Sequence, residues 1–204
     1  LGTVERLAQA GSLVLQQVAL RREVEPEIVD EDAKLDVTLR IADLGRTTTS
    51  DRALARQYYQ RALELRGEDV RALTALESLY DEEQDWPALL EILKRRVEVE
   101  IEPAAKTALL FKRAVLCEER LHDPDGAIEA LEAIVEMGNP PLRALLSLER
   151  LYGQVGRWLD VLSLLERQIG NPPVNPEPSA LAEGPRSDVD LHHIIGVVAR
   201  RHLD

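Results

Sequence analysis

Aromatic residues are scarce in this chain: its 204 residues include two Trp, four Tyr and one Phe. Because β-strands favour aromatic and β-branched side chains, this composition disfavours a sheet-rich fold. The abundant residues are Leu, Ala, Glu and Arg, which lose little conformational freedom on entering a helix. The composition therefore predicts an all-α protein.

Cysteine and positive charge are also in short supply. A lone Cys117 excludes an internal disulfide and is typical of a reducing compartment, so a cytoplasmic location is expected. The formal charge is −12, whereas nucleic acids and anionic membrane surfaces attract basic proteins. No apolar run approaches the roughly 20 residues that a membrane-spanning helix needs. We therefore expect neither a nucleic acid nor a membrane as a partner.

Few residues suit metal binding or catalysis. His192 and His193 would point about 100° apart on a helix, and His202 lies more than two turns further on, which disfavours a metal site. Cys117 falls in a segment of apolar periodicity and is interpreted as a small buried side chain. A Gly-rich phosphate loop is lacking. We expect no catalytic residue, cofactor or metal, and no enzymatic activity; an unrecognised site between repeats is the alternative.

An internal repeat is the most informative positive feature. Residues 71–96 align without a gap to residues 143–168, at an offset of 72 positions. Both Trp of the chain and two of its Tyr match in this alignment, which chance does not readily give in a chain so poor in aromatics. These matches are Tyr80/Tyr152 and Trp86/Trp158. The same offset relates positions outside this alignment: Ala42/Ala114, Asp51/Asp123 and Ala55/Ala127. The period predicts two alternating modules of about 36 residues, each made of two helices.

Local signals agree with helix pairs. Apolar residues such as Leu73, Leu76 and Leu79 recur at helical spacing. Asp123 before Pro124, and Asp85 before Trp86, predict the starts of helices. Breaks near Gly67, Pro103, residues 139–141 and residues 171–173 predict the ends of modules.

This pattern resembles the tetratricopeptide repeat (TPR) family, as divergent bacterial-type repeats over roughly residues 3–170. Ala42 with Ala55, and Ala114 with Ala127, match the family's contact between small residues of paired helices; Glu77 and Glu149 depart from it, since a small residue is usual there. The resemblance implies a right-handed α-α superhelix, which is a solenoid of antiparallel helix pairs, with a C-terminal capping helix. HEAT-like pairing is the alternative architecture.

The expected organisation is a TPR-like domain over residues 1–170. It comprises a partial module over 1–25 and modules over about 33–67, 68–104, 105–139 and 140–170. The proline-rich residues 171–186 predict a linker, and a capping box of Ser187 and Asp190 opens a helix over 187–204. We expect this helix to cap the last module; exchange with a second copy in a homodimer and the start of a further domain are the alternatives.

The resemblance implies a protein–protein interaction scaffold for an unknown protein or peptide partner. It places seven residues of the first helices toward a groove: Arg71, Thr74, Ser78, Lys112, Arg143, Ser147 and Arg150. Cations in an otherwise acidic protein favour an acidic peptide segment or a C-terminal carboxylate. The alternative for each residue is a solvated helix face. The alternative for the whole chain is a self-assembling structural module. Trp86 and Trp158 are expected to pack between helices.

Overall fold

The computed structural model describes residues 16, 18–21, 23–47, 51–169 and 187–203, and these contain helices and turns without a strand. The predicted all-α class is confirmed over these residues. No helix among them is long and apolar enough to cross a membrane. Most of the predicted partial module over 1–25, and the predicted linker over 171–186, lie outside the described residues. The chain divides into two compact units, Leu1–Val99 and Glu100–Asp204.

The first unit contains four described α-helices after a short 3₁₀ turn at Glu25–Glu27. They are α1 (Glu31–Thr47), α2 (Arg52–Leu65), α3 (Val70–Glu83) and α4 (Trp86–Val99). Each helix packs against the next one along the chain. Because the connections are short, consecutive helices run antiparallel, which gives the helix pairs that the repeat predicts.

The second unit repeats this plan and adds one helix. Its elements are α5 (Pro103–Leu116), a π-helical turn (Cys117–Leu121), α6 (Pro124–Glu136), α7 (Leu142–Val155), α8 (Trp158–Gln168) and α9 (Asp188–His202). Again each helix packs on its neighbour in sequence, and α9 packs on α8. The helix starts predicted at Trp86 and Pro124 are confirmed.

Side-chain caps explain where several helices begin. The Asp51 carboxylate accepts the backbone N–H of Leu54 at 2.9 Å, and its repeat equivalent Asp123 accepts that of Gly126 at 2.9 Å. Asp85 does the same for Ala88 at 3.2 Å. Each such cap stabilises its helix by about 1 kcal/mol. The Asp-Pro-Asp-Gly turn at residues 123–126 is thus a capping turn.

Small residues bring the paired helices together. Ala42 and Ala55 are fully buried. A β carbon at Gly45 would lie 3.1 Å from the backbone nitrogen of Ala55, so α1 and α2 approach closely there. The equivalent of Gly45 is Cys117, which is buried, and its Sγ lies 3.1 Å from the place of a β carbon on Gly126. The predicted buried role of Cys117 is confirmed, and a glycine on the partner helix makes room for its sulfur.

The departure at Glu77 has a structural reason. Glu77 is buried in α3 and forms an ion pair with Arg96 of α4, so two long charged side chains pack together between these helices. A buried carboxylate is tolerated when a cation and hydrogen bonds compensate its lost hydration. In the second unit the equivalent of Arg96 is Gln168, whose amide donates to the Leu164 carbonyl at 3.3 Å.

The two modules that carry Trp end their first helix in the same way. Gln84 has φ of 57°, and its equivalent Gly156 has φ of 77°, so both adopt the left-handed conformation that reverses the chain toward α4 and α8. Glycine reaches this conformation without steric cost, whereas glutamine does not. Trp158 follows this turn, and a β carbon at Gly153 of α7 would lie 3.5 Å from its ring. The predicted packing of Trp158 between helices is confirmed.

Helix α9 opens with the predicted capping box, in which Ser187 and Asp190 satisfy each other's backbone N–H groups. The His202 ring stacks on the Trp158 ring of α8, with centroids 3.6 Å apart. Leu191 is the one side chain of the helix that is buried, and the apolar Val189 is 77% exposed. The helix therefore contacts α8 along only part of its apolar surface.

Candidate protein-binding surface

In the first unit, three predicted site residues share one face of α3. Arg71, Thr74 and Ser78 are exposed at spacings of three and four residues. The Thr74 hydroxyl donates to the Val70 carbonyl at 2.7 Å, and the Ser78 hydroxyl donates to the Thr74 carbonyl at 3.3 Å. Both hydroxyls thus return to their own helix, and Arg71 is the charged residue of these three.

That guanidinium is already paired. Arg71 forms an ion pair with Asp43 of α1, and the same carboxylate accepts the Tyr59 hydroxyl of α2 at 2.5 Å. Burial, together with the hydrogen bond to Asp43, raises the pKa of Tyr59 well above its ordinary value. The three side chains tie three successive helices together, and the carboxylate offsets the positive charge that the sequence places on this face.

In the second unit the equivalent arginine has a different environment. Arg143 of α7 is exposed, and its guanidinium carbon lies over the ring of Phe111 of α5, 5.0 Å from the ring centroid. The repeat positions of Asp43 and Tyr59 are occupied here by Val115 and Leu131. Among the described residues no carboxylate pairs with Arg143. The substitution of valine for aspartate therefore leaves a cation stacked on an aromatic ring beside an exposed aliphatic side chain.

Two further predicted residues lie on α7, one and two turns beyond Arg143. Ser147 is half-buried, and Arg150 is exposed and forms an ion pair with Glu118, 2.7 Å from Nη1 to Oε1. The hydrogen bond that Arg150 donates to Glu118 raises the pKa of the arginine. Lys112 is exposed on α5 next to Phe111. We call the surface formed by Phe111, Lys112, Val115, Arg143, Ser147 and Arg150 the α5–α7 face.

The sequence prediction named the cations of this face but not its apolar members. Phe111 and Val115 are one helical turn apart on α5, and 39% of Val115 is exposed. The 72-residue alignment already indicates this difference. Val115 occupies the repeat position of Asp43, so the second unit lacks the carboxylate that pairs with Arg71 in the first. A comparison of the charges at equivalent positions of the two repeats would have predicted that Arg71 has a carboxylate partner at this position and that Arg143 does not.

Two of the three histidines of α9 make separate contacts. The His192 Nδ1 lies 2.6 Å from the Asp188 carbonyl oxygen, and His202 stacks on Trp158. Over the residues that the structure describes, no three His, Cys, Asp or Glu side chains are grouped as a metal site would require. Cys117 is buried within the second unit.

No protein-family model matches the chain. No curated protein matches it either. Among solved structures it is similar to YrrB, described as a TPR protein with an unusual peptide-binding site: 16% identity, 80% of this chain and 75% of that chain covered, TM-score 0.43. It is also similar to a tetratricopeptide repeat protein from Parabacteroides merdae: 18% identity, 96% and 75% covered, TM-score 0.46.

Proposed function

We propose that this chain is a protein-interaction module whose α5–α7 face binds an acidic peptide segment. The observation that carries the proposal is the exposed guanidinium of Arg143, which lies over Phe111 and has no carboxylate partner among the described residues. A carboxylate that approached Arg143 would gain a charge-assisted hydrogen bond without first displacing an internal one.

The neighbours of Arg143 define what else the peptide carries. Phe111 and Val115 offer an aromatic ring edge and an exposed aliphatic group on the same side of α5. Their burial against a ligand would add a hydrophobic contribution to the charge interaction. The favoured segment therefore combines acidic residues with an aliphatic side chain.

Arg71 and Arg143 provide a matched pair for the test, because they occupy equivalent repeat positions and differ in pairing. A fluorescein-labelled Glu-Glu-Leu-Glu-Glu peptide is titrated with the purified chain, and binding is followed by fluorescence anisotropy at low salt. We expect Arg143→Glu to weaken binding at least tenfold and Arg71→Glu to change it less than twofold. Affinity should also fall as salt is added, since exposed charges are screened.

Two results would refute the proposal. One is binding by the Arg143→Glu variant with wild-type affinity. The other is an equal loss in both variants, which would indicate a general effect of net charge and not a site on the α5–α7 face. Circular dichroism of each variant verifies that its helices are retained.

A further inference from the structure

Each unit also contains a groove on the side of its helix pairs that is opposite to the predicted site residues. In the first unit it lies between α2, α3 and α4, with a volume of about 320 Å³. In the second it lies between α6, α7 and α8, with a volume of about 290 Å³. Nine residues line each groove, and adding 72 to every residue number of the first set gives the second set. Six of the nine positions carry similar side chains in both grooves, and three differ: Gln60/Glu132, Ala88/Asp160 and Glu91/Ser163. The fold therefore places a groove of similar lining in each unit.

These grooves are distinct from the surface discussed above. Leu76 and Tyr80 line the first groove from α3, whereas Arg71, Thr74 and Ser78 lie on the opposite side of the same helix, as a rotation of 100° per residue requires. A ligand bound in a groove would therefore leave the surface with the predicted site residues of that unit accessible.

The floor of each groove is aliphatic and closed at one end by a tyrosine. In the first unit Leu63, Leu76 and Ile92 form the floor, and the Tyr80 hydroxyl accepts the amide of Gln60 at 2.6 Å. The equivalent floor in the second unit consists of Val135, Leu148 and Leu164. There the Tyr152 hydroxyl donates to Glu132 at 2.7 Å. Both ends are thus held by a bond between adjacent helices, and both floors suit an aliphatic side chain.

Opposite charges face each other across both grooves. Glu64 on α2 and Arg95 on α4 line the first, and Glu136 on α6 and Arg167 on α8 line the second. The other carboxylates that line the grooves are already paired: Glu91 pairs with Lys94, and Glu132 and Asp160 pair with Arg157. Among the described residues Glu64 and Glu136 form no ion pair, and Arg95 donates to the Gly67 carbonyl at 2.6 Å. Among the described residues, each groove thus offers one carboxylate without an ion pair, Glu64 or Glu136, and one basic group on the opposite wall.

We propose that the two grooves are equivalent docking sites for a peptide in which one aliphatic side chain is flanked by a basic and an acidic residue. The aliphatic side chain lies on the floor. The basic residue faces Glu64 or Glu136, and the acidic residue faces Arg95 or Arg167. One chain then binds two copies of the segment, independently of any ligand on the α5–α7 face.

The test is an NMR titration of methyl-labelled protein with the probe N-acetyl-Lys-Leu-Glu-amide. We expect the methyl signals of Ile92 and Leu164, one in each groove, to shift with similar concentration dependence. A probe with serine in place of leucine should shift neither signal by more than about a tenth as much.

Blocking variants assign the shifts to the grooves. Glu91 and Ser163 are equivalent exposed positions on the rims of the two grooves. Glu91→Trp should abolish the Ile92 shift and leave that of Leu164, and Ser163→Trp should do the reverse. Glu98→Trp and Glu166→Trp place the same side chain at exposed positions of α4 and α8 that line neither groove, and both shifts should persist.

The proposal would be overturned by a titration in which neither methyl signal moves, or only one does. It would equally fail if the serine probe acted as well as the leucine probe, or if the blocking variants retained the shift in the groove that they fill. None of these outcomes bears on the α5–α7 face, whose test depends on Arg143.

Discussion

The guanidinium of Arg143 lies 5.0 Å from the centre of the Phe111 ring, at the repeat position where the first unit pairs Arg71 with Asp43. The two arginines occupy equivalent positions in the sequence alignment, but their neighbours differ. Asp43 of α1 faces Arg71, and Phe111 of α5 faces Arg143. A cation over an aromatic ring is held in place without being neutralised. Its orientation is thus fixed while its charge stays available to a ligand.

Removal of the Phe111 ring should weaken peptide binding at the α5–α7 face. Without the ring the Arg143 side chain is free to move, and immobilising it on binding costs about 1 kcal/mol, which is roughly a fivefold loss of affinity for the Glu-Glu-Leu-Glu-Glu probe in Phe111→Ala. Phe111→Trp, which retains an aromatic ring, should bind within twofold of the wild type. Fluorescence anisotropy measures both, and equal affinities of the Ala and Trp variants would contradict the assigned role of the ring.

The left-handed conformation of Gln84 and of its equivalent Gly156 predicts opposite changes in stability when the two residue types are exchanged. Gln84→Gly should raise the free energy of unfolding by about 1 kcal/mol, because glycine adopts φ of 57° without steric cost. Gly156→Gln should lower it by a similar amount. Urea unfolding followed by circular dichroism gives both values. A change of the same sign in the two variants would show that the φ angles do not control the effect.

The buried tyrosines predict a loss of stability in alkaline solution. Burial, with the hydrogen bonds to Asp43 and Glu132, raises the pKa of Tyr59 and of Tyr152 far above the value of about 10 in an unfolded chain. The neutral hydroxyls therefore stabilise the fold fully below pH 10, and this contribution is lost progressively as the pH rises from there toward the folded pKa values.

Phenylalanine variants isolate this contribution. Between pH 8 and pH 10.5, the urea midpoint of the wild type should fall further than that of Tyr59→Phe or Tyr152→Phe, since each variant has one fewer tyrosine to ionise in the unfolded state. Equal falls in all three proteins would indicate that other groups govern the alkaline loss.

The stacking of Trp158 on His202 predicts a fluorescence signal for the docking of α9. In a Trp86→Phe background Trp158 is the single Trp, because the chain contains two. Deletion of residues 187–204 should then shift its emission to longer wavelength and increase quenching by acrylamide. His202→Ala should produce a smaller change in the same direction. An unchanged spectrum after deletion would mean that α9 does not cover Trp158 in solution.

Helix pairing could be predicted from the sequence because its causes are local. Apolar periodicity at three and four residues, Asp51, Asp85 and Asp123 as caps, and breaks at Gly67 and Pro103 all act within a turn or two of the chain. The 72-residue offset then related the two units. It also relates the tyrosines of the two grooves, Tyr80 and Tyr152.

The candidate binding surface depended on the tertiary structure. From the sequence, Arg71, Arg143 and Arg150 were all predicted to be cations that face a groove. Their partners lie 28 to 32 positions away, on another helix or on the turn that follows it. Only the packing of α1 with α3 and of α5 with α7 shows that Asp43 neutralises Arg71, that Glu118 neutralises Arg150, and that Phe111 orients Arg143. Helix formation is decided by neighbours in the chain, whereas the charge that a surface offers is decided by neighbours in space.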